Sequence, residues 1–264
     1  MLTGNNQKVK YLRRLASRRF REREGKFLIE GTRFAEEALA SSFPLEMLVY
    51  NEEGKENARL RELLEKAAAF AIPCFEIEKR LFDELADTVT PQGVIGVAGR
   101  RWVSLADLRK TGPWLLALAD GVQDPGNLGA IVRSADAAGA DGVILLKGTA
   151  DIFNPKALRA TMGSIFHLPV IQNVSLAEAL EFFKEQGVKL IVGTPGQGQA
   201  IYDCDLTGPI ALLAGSEAAG PEPGTLSAAD EYAKIPMPGQ AESLNVAVSA
   251  GIMLYEAVRQ RRSI

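Results

Sequence analysis

Four short stretches in the second half of the chain are almost continuously apolar: WLLALAD (114–120), GVILL (142–146), KLIVGT (189–194) and PIALLAG (209–215). A strand with one wet face alternates polar and apolar residues, whereas a strand buried on both faces does not. Helical patterns at 128–138, 155–161, 175–186 and 244–262 intervene between these runs or follow them. The pattern predicts an α/β fold whose parallel sheet is covered by helices on both faces. Ligands of such sheets bind beyond the carboxyl ends of the strands, so the loops after these runs are where chemistry is expected.

The first hundred residues predict a smaller α/β unit. KFLIEG (26–31), LEMLVY (45–50), CFEI (74–77) and GVIGVAG (93–99) read as strands. Helices are expected from Arg33 to Ala40, over 56–70 and around 78–86. The stretch RRWVSLADLRKTGPW (100–114) is charged and carries a Gly-Pro breaker. The expected organisation is therefore an N-terminal domain over 1–100, a linker over 101–113 and a larger domain over 114–264. A length of 264 residues accommodates two such domains.

Apolar content of 47% and charged content of 24% are those of a globular protein in water. No apolar run is long enough to span a bilayer and the N-terminus is basic and polar, so the expected location is the cytoplasm. Cys74 and Cys204 lie far apart, and with His167 as the one histidine no conventional zinc site can be assembled; no metal is expected. His167, in SIFHLPV, reads as a packing residue rather than a catalytic base.

A net charge of −3 conceals an asymmetry. Residues 1–35 hold ten Lys/Arg against three Glu, a balance of +7, which leaves −10 on the remainder. A basic head on an acidic body suits one local polyanion contact. Lys8, Lys10, Arg13, Arg14, Arg18 and Arg19 are the candidate contacts, although a charge run is also what a solvated helix face looks like. Asn5, Asn6 and Gln7 stand just before them and can bond phosphates or bases.

Three strand ends depart from ordinary turns. After the first apolar run, DGVQDPGNLGAIVR places Asn127 at a helix start and Arg133 farther along that helix. Asn127 reads as the helix cap; Arg133 either pairs with Asp136 or faces an anion. After the fourth run, GSEAAGPEPG supplies Gly215, Gly220 and Gly224 around Glu217, and after the third, TPGQGQ supplies Gly196 and Gly198. Neither is a phosphate loop of the GxxxxGK[ST] type, nor does GxGxxG follow any strand. Finally, IPMPGQAESLNVAVSAGIMLYEAV (235–258) runs from a polar loop into an apolar helix, with Glu242-Ser243 offering cap chemistry.

Taken together, N-x-G-x-x-x-R (127–133), GSE-x-x-G (215–220) and IPM…ESLNVAVSAGI (235–252) resemble the three motifs of the SpoU (TrmH-like) RNA ribose 2′-O-methyltransferases of the SPOUT superfamily. The resemblance covers about 114–262; FLIEG and the basic head resemble the ribosomal-protein-like RNA-binding domain of many relatives. It implies a deep trefoil knot at the C-terminus, S-adenosylmethionine bound within it, and an obligate homodimer. Gly215, Ile235 and Leu244 match positions whose backbone holds the cofactor, with Thr194, Gly196 and Met237 beside them. Asn127, Arg133, Glu217, Ser243 and Asn245 match the polar set around the reacting centre. One departure is Ala218, where relatives often carry glycine.

Asn154, Lys156, Arg159 and Ser164 resemble an RNA-facing loop, where such side chains contact backbone phosphates. Ala247, Ala250 and Gly251 on the last helix are the candidate contact between protomers. The implied function is S-adenosylmethionine-dependent methylation of a ribose 2′-hydroxyl in structured RNA, with 23S ribosomal RNA as the expected substrate. Transfer RNA is the alternative substrate, and a non-catalytic RNA-binding protein the alternative class.

Overall fold

The computed structural model describes residues 2–41, 43–110, 112–216 and 220–262, and its chain separates into the units Met1–Arg101 and Trp102–Ile264. In the first unit, helices α1 (Gln7–Leu15) and α2 (Arg18–Glu24) precede β1 (Lys26–Glu30). There follow α3 (Thr32–Ala40), β2 (Leu45–Tyr50), α4 (Glu52–Glu56), α5 (Ala58–Ala69), β3 (Cys74–Glu76), α6 (Lys79–Leu85) and β4 (Val94–Gly99). The strands lie in the order β1-β4-β2-β3, with β4 antiparallel to both its neighbours and β3 parallel to β2.

Helix α1 forms because Asn6 accepts the Lys8 N–H at its start and because Val9, Leu12 and Leu15 recur on one face. That face packs with Ile95 and Val97 of β4 and with Val49 of β2. Leu12 and Leu15 are fully buried, a contribution of about 1.5–3 kcal/mol each. The basic head is therefore a pair of helices carrying part of the core. Arg21 is not available to any partner: it is buried, and its guanidinium donates to the Leu15 and Ala16 carbonyls, closing the end of α1.

The second unit contains β5 (Leu115–Asp120), α7 (Pro125–Ala137), β6 (Gly142–Leu146), α8 (Pro155–Thr161), β7 (Val170–Val174), α9 (Leu176–Gln186) and β8 (Lys189–Gly193). It continues with β9 (Gln199–Ala200), β10 (Ile210–Gly215), α10 (Pro223–Ser227), β11 (Glu231–Lys234) and α11 (Val246–Arg261). The seven strands form one sheet in the order β7-β6-β5-β10-β8-β11-β9, and its strand pairs are parallel. Every residue of β5 and β6 is buried, as their unbroken apolar runs predict. On one face Leu116, Leu118, Ile144, Leu190 and Leu213 meet Ala179 and Phe183 of α9. Helix α11 packs against α7 and β10.

Val103, Leu105 and Leu108, from the stretch read as a linker, pack on this same core. Strands β7, β9 and β11 are not among those predicted. VIQNV and EYAK carry too many polar residues to stand out, because both lie toward the margins of the sheet. β7 is also irregular: its register with β6 shifts, and Asn173 adopts a φ of 59°. Among the described residues no helix is long and apolar enough to cross a membrane.

Candidate active site

The register fixes which loops meet. Gly215 pairs with Asp120, Leu213 with Val192, and Ala233 with Gly193, so β5, β10, β8 and β11 end level. Neighbouring strands are about 4.8 Å apart, and the loops following all four emerge on one side. In the loop after β8, the Thr194 N–H donates to the Ala233 carbonyl at 2.9 Å. The Thr194 hydroxyl donates to the Gln197 carbonyl at 2.8 Å, which closes a small turn around Gly196. A side chain at Gly196 would meet nothing within 4 Å, so this turn borders open space.

After β10 the backbone doubles back tightly. Ser216 and Gly220 exchange two backbone hydrogen bonds, at 3.1 and 2.9 Å. Any Cβ on Gly215 would lie 2.3 Å from the Pro221 nitrogen, so only glycine fits there. Glu217 and Ala218 lie outside the described residues. After β11, Ile235, Met237 and Leu244 are half-buried while Ser243 is exposed. From Met237 to Leu244 the backbone makes no hydrogen bond to any described residue. Residues 238–243 are exposed, so the backbone donors and acceptors of this stretch stay open to solvent or to a ligand.

Helix α11 is capped by Asn245, not by Glu242-Ser243: its Oδ1 accepts the Ala247 and Val248 N–H groups at 3.0 and 3.3 Å. The same side chain donates through Nδ2 to Asn127 Oδ1 at 2.9 Å. Asn127 is not the cap of α7. That role belongs to Asp124, whose Oδ1 accepts the Asn127 N–H at 2.9 Å, with Pro125 as the first helical residue. Asp124 Oδ2 also receives Lys156 Nζ at 2.5 Å. The bond from Lys156, followed by that from the Asn127 backbone, holds the Asp124 carboxyl below the usual aspartate range.

Because α7 begins at Pro125, Arg133 falls on its third turn. Arg133 is exposed and makes no hydrogen bond or ion pair with a described residue. Asp136, the partner considered for it, instead bonds His167 Nδ1 at 2.9 Å. His167 is consequently a half-exposed residue hydrogen-bonded to a carboxylate rather than a packing one. The structure thus brings Asn127 and Asn245 into contact and sets Arg133 farther along α7. Thr194, Gly196, Gly215, Ile235, Met237 and Leu244 lie on the neighbouring strand-end loops.

On α8, Asn154 is spent as the cap, accepting the Lys156 N–H, and Ser164 is buried, so neither hydroxyl nor amide oxygen is presented outward as expected. Ala247 and Ala250 are buried within the chain; Val248 and Tyr255 are the exposed large hydrophobic residues of α11. In the first unit, Arg13 pairs with Glu84 at 2.6 Å and Arg18 with Glu22 at 2.8 Å. Lys8 lies 5.0 Å over the Phe75 ring and Arg14 4.1 Å over Phe20. Lys10 and Arg19 are exposed and have no such partner among the described residues.

The strand-end loops suit S-adenosylmethionine in chemical character. Half-buried apolar side chains at Ile235, Met237 and Leu244 adjoin unpaired backbone donors and acceptors, the combination that takes up a flat heteroaromatic base. Two family models match the chain. The SpoU rRNA Methylase family matches residues 115–255, and an MRM3-like substrate binding domain matches 6–96. The chain is 40% identical to the 23S rRNA (guanosine(2553)-2′-O)-methyltransferase RlmP of Bacillus subtilis, over 96% of each protein. It is 34% identical to a 23S rRNA (uridine(2479)-2′-O)-methyltransferase of Streptomyces viridochromogenes, over 94% of this chain and 88% of that one. The crystal structure of the SpoU methyltransferase AviRb from the same species, in complex with AdoMet, superposes with a TM-score of 0.89 at 32% identity, covering 98% of this chain and all of the other.

Proposed function

The chain belongs to the SpoU rRNA methylase family, and from that premise we propose that it methylates a ribose 2′-hydroxyl of 23S ribosomal RNA. It is an S-adenosylmethionine-dependent RNA ribose 2′-O-methyltransferase. The observation that carries the assignment of the site is the bond from Asn245 to Asn127. It joins the loop after β11, where the cofactor is proposed to bind, to the helix that carries Arg133.

Bound S-adenosylmethionine supplies a methyl group on a cationic sulfur that leaves as a neutral thioether. The remaining work is positioning, because an in-line displacement needs the ribose oxygen held about 3–3.5 Å from the methyl carbon. Backbone groups of Gly215, Ile235 and Leu244 are proposed to hold the cofactor, flanked by Thr194, Gly196 and Met237. Asn127, Asn245 and Ser243 would orient the hydroxyl, with Glu217 completing the polar set. Arg133 offers a rigid planar fork of donors and no acceptor, which suits an anion rather than a proton. It is therefore assigned as a bidentate clamp on the RNA phosphate beside the target rather than as the base.

The first unit is proposed to bind the RNA through Lys8, Lys10, Arg13, Arg14, Arg18 and Arg19, assisted by Lys156 and Arg159 of the second. A homodimer is proposed with Val248 and Tyr255 of α11 in its interface, since both are large hydrophobic residues left about half exposed. A trefoil knot is proposed where the chain returns from β11, toward the sheet margin, to α11 on the central strands. The cytoplasm is the proposed location.

Two measurements test the function. Calorimetric titration should show S-adenosylmethionine binding, and its absence would sink the enzyme. Ribose-methylation mapping in cells with and without the protein should then lose one site in 23S ribosomal RNA. A loss confined to transfer RNA would keep the chemistry and overturn the substrate.

A further inference from the structure

Asp120 is the last residue of β5 and is 2% exposed, although nothing in its motif marks it as functional. Burying a carboxylate is costly unless hydrogen bonds engage it. Its Oδ2 accepts the backbone N–H of Glu222 at 2.9 Å, a bond spanning 102 residues of sequence. Glu222 follows the tight return after β10, where Ser216 and Gly220 exchange hydrogen bonds and Pro221 presses on Gly215. The same edge of β5 is locked from its other side. Thr149 accepts the Gly121 N–H at 3.1 Å and donates to the Ala119 carbonyl at 3.1 Å. Gln123 donates to the Gly121 and Gly148 carbonyls. A side chain added to Gly121 would also come within 3.5 Å of the Ser216 Cβ.

We propose that Asp120 is a positioning residue for the methyltransferase: its carboxylate anchors the return after β10 at Glu222 and thereby sets the backbone at Gly215–Ser216 for the cofactor. The proposal rests on the assignment of those loops to S-adenosylmethionine. It makes the end of β5 a rigid platform and the β10 return a part clipped onto it. Asp120 touches neither substrate nor cofactor in this account; it acts through the Glu222 N–H.

The test compares Asp120→Ala and Asp120→Asn in the full-length protein, by calorimetry with S-adenosylmethionine and by steady-state kinetics. The asparagine variant keeps an oxygen that can accept the Glu222 N–H. Removing the acceptor leaves the Glu222 N–H unpaired, a penalty equivalent to about tenfold or more, so Asp120→Ala should raise Kd and KM for S-adenosylmethionine about tenfold or more. Its kcat at saturating cofactor should stay within about threefold of the parent, since uniform binding is what is lost. Asp120→Asn should recover most of the affinity. Equal losses in both variants would overturn the anchoring role in favour of the charge itself, and unchanged affinity in a folded Asp120→Ala would overturn it outright. If Asp120→Ala does not fold, Asp120→Asn carries the test: near-parental affinity supports the anchor and a tenfold loss overturns it. Failure of the parent protein to bind S-adenosylmethionine would instead count against the enzyme assignment.

Discussion

The two units handle charge in opposite ways. In the first, cations are spread along helices and many are already occupied: Arg13 by Glu84, Arg18 by Glu22, Arg14 by the Phe20 ring and Arg21 by carbonyls. In the second, the central strands β5, β6 and β10 are nearly bare of polar side chains, and the polar residues of the site gather where β5, β10, β8 and β11 end. A surface that grips a polyanion tolerates approximate placement, since it works by summed charge. A site that transfers a methyl group does not, because misplacement by about 1 Å can cost roughly a hundredfold. The difference predicts that single substitutions should be severe in the second unit and graded in the first.

The largest effect is expected at Arg133. Arg133→Lys keeps the charge but loses the planar fork, and kcat at saturating RNA should fall roughly a hundredfold with S-adenosylmethionine affinity unchanged. Single-turnover methylation separates this from RNA binding. Near-normal turnover would break the comparison by showing that charge alone suffices there too.

Next come Asn127 and Asn245. Asn245→Ala removes the cap of α11 as well as the bond to Asn127, so it should cost about 1 kcal/mol of stability in addition to activity. Asn127→Ala should reduce activity with less effect on stability, because Asp124 and not Asn127 caps α7. A double-mutant cycle on kcat/KM should show coupling between the two. Strict additivity would mean that the hydrogen bond between them has no part in the reaction.

These residues also show what could be read in advance. Unbroken apolar runs gave away β5, β6, β8 and β10, because burial on both faces leaves no room for alternation. The cap of α7 was misplaced by three residues since Asp124 and Asn127 both suit a helix start; Asp-Pro was the decisive signal, with proline favoured at the first helical position. The same pairing recurs at Asn154-Pro155. Asp120 was beyond reach: its partner is a backbone N–H 102 residues away, and no local pattern reports a contact of that range. His167 was misjudged for a related reason, as Asp136 lies 31 residues before it.

In the first unit the expected effects are smaller and should follow occupancy. Lys10→Gln and Arg19→Gln should each weaken RNA binding across sequences and lower the salt slope by about one. Arg13→Gln and Arg18→Gln should do less, since each cation already has a carboxylate partner. None should change S-adenosylmethionine affinity. Filter binding over a salt series decides it, and equal losses at all four positions would show that RNA displaces the internal pairs.

The smallest effect is expected at the pair of Asp124 and Lys156, which lies in the demanding unit yet is partly solvated. Asp124→Asn keeps an oxygen to cap α7 and removes only the ion pair. With 43% of the Asp124 side chain exposed, solvent screening limits the loss to under about 1 kcal/mol. The sign follows from linkage. The folded carboxyl titrates below its unfolded value of about 3.9, so its stabilisation is present above that value and disappears as pH falls through the lower folded one. The difference in urea midpoint between parent and Asp124→Asn should therefore be constant from about pH 7 to about pH 5 and shrink below about pH 4. Added salt should shrink it as well. A gap that persists in acid would mean that the substitution damages the cap of α7 instead, and that even this exposed corner of the second unit depends on exact geometry rather than on charge.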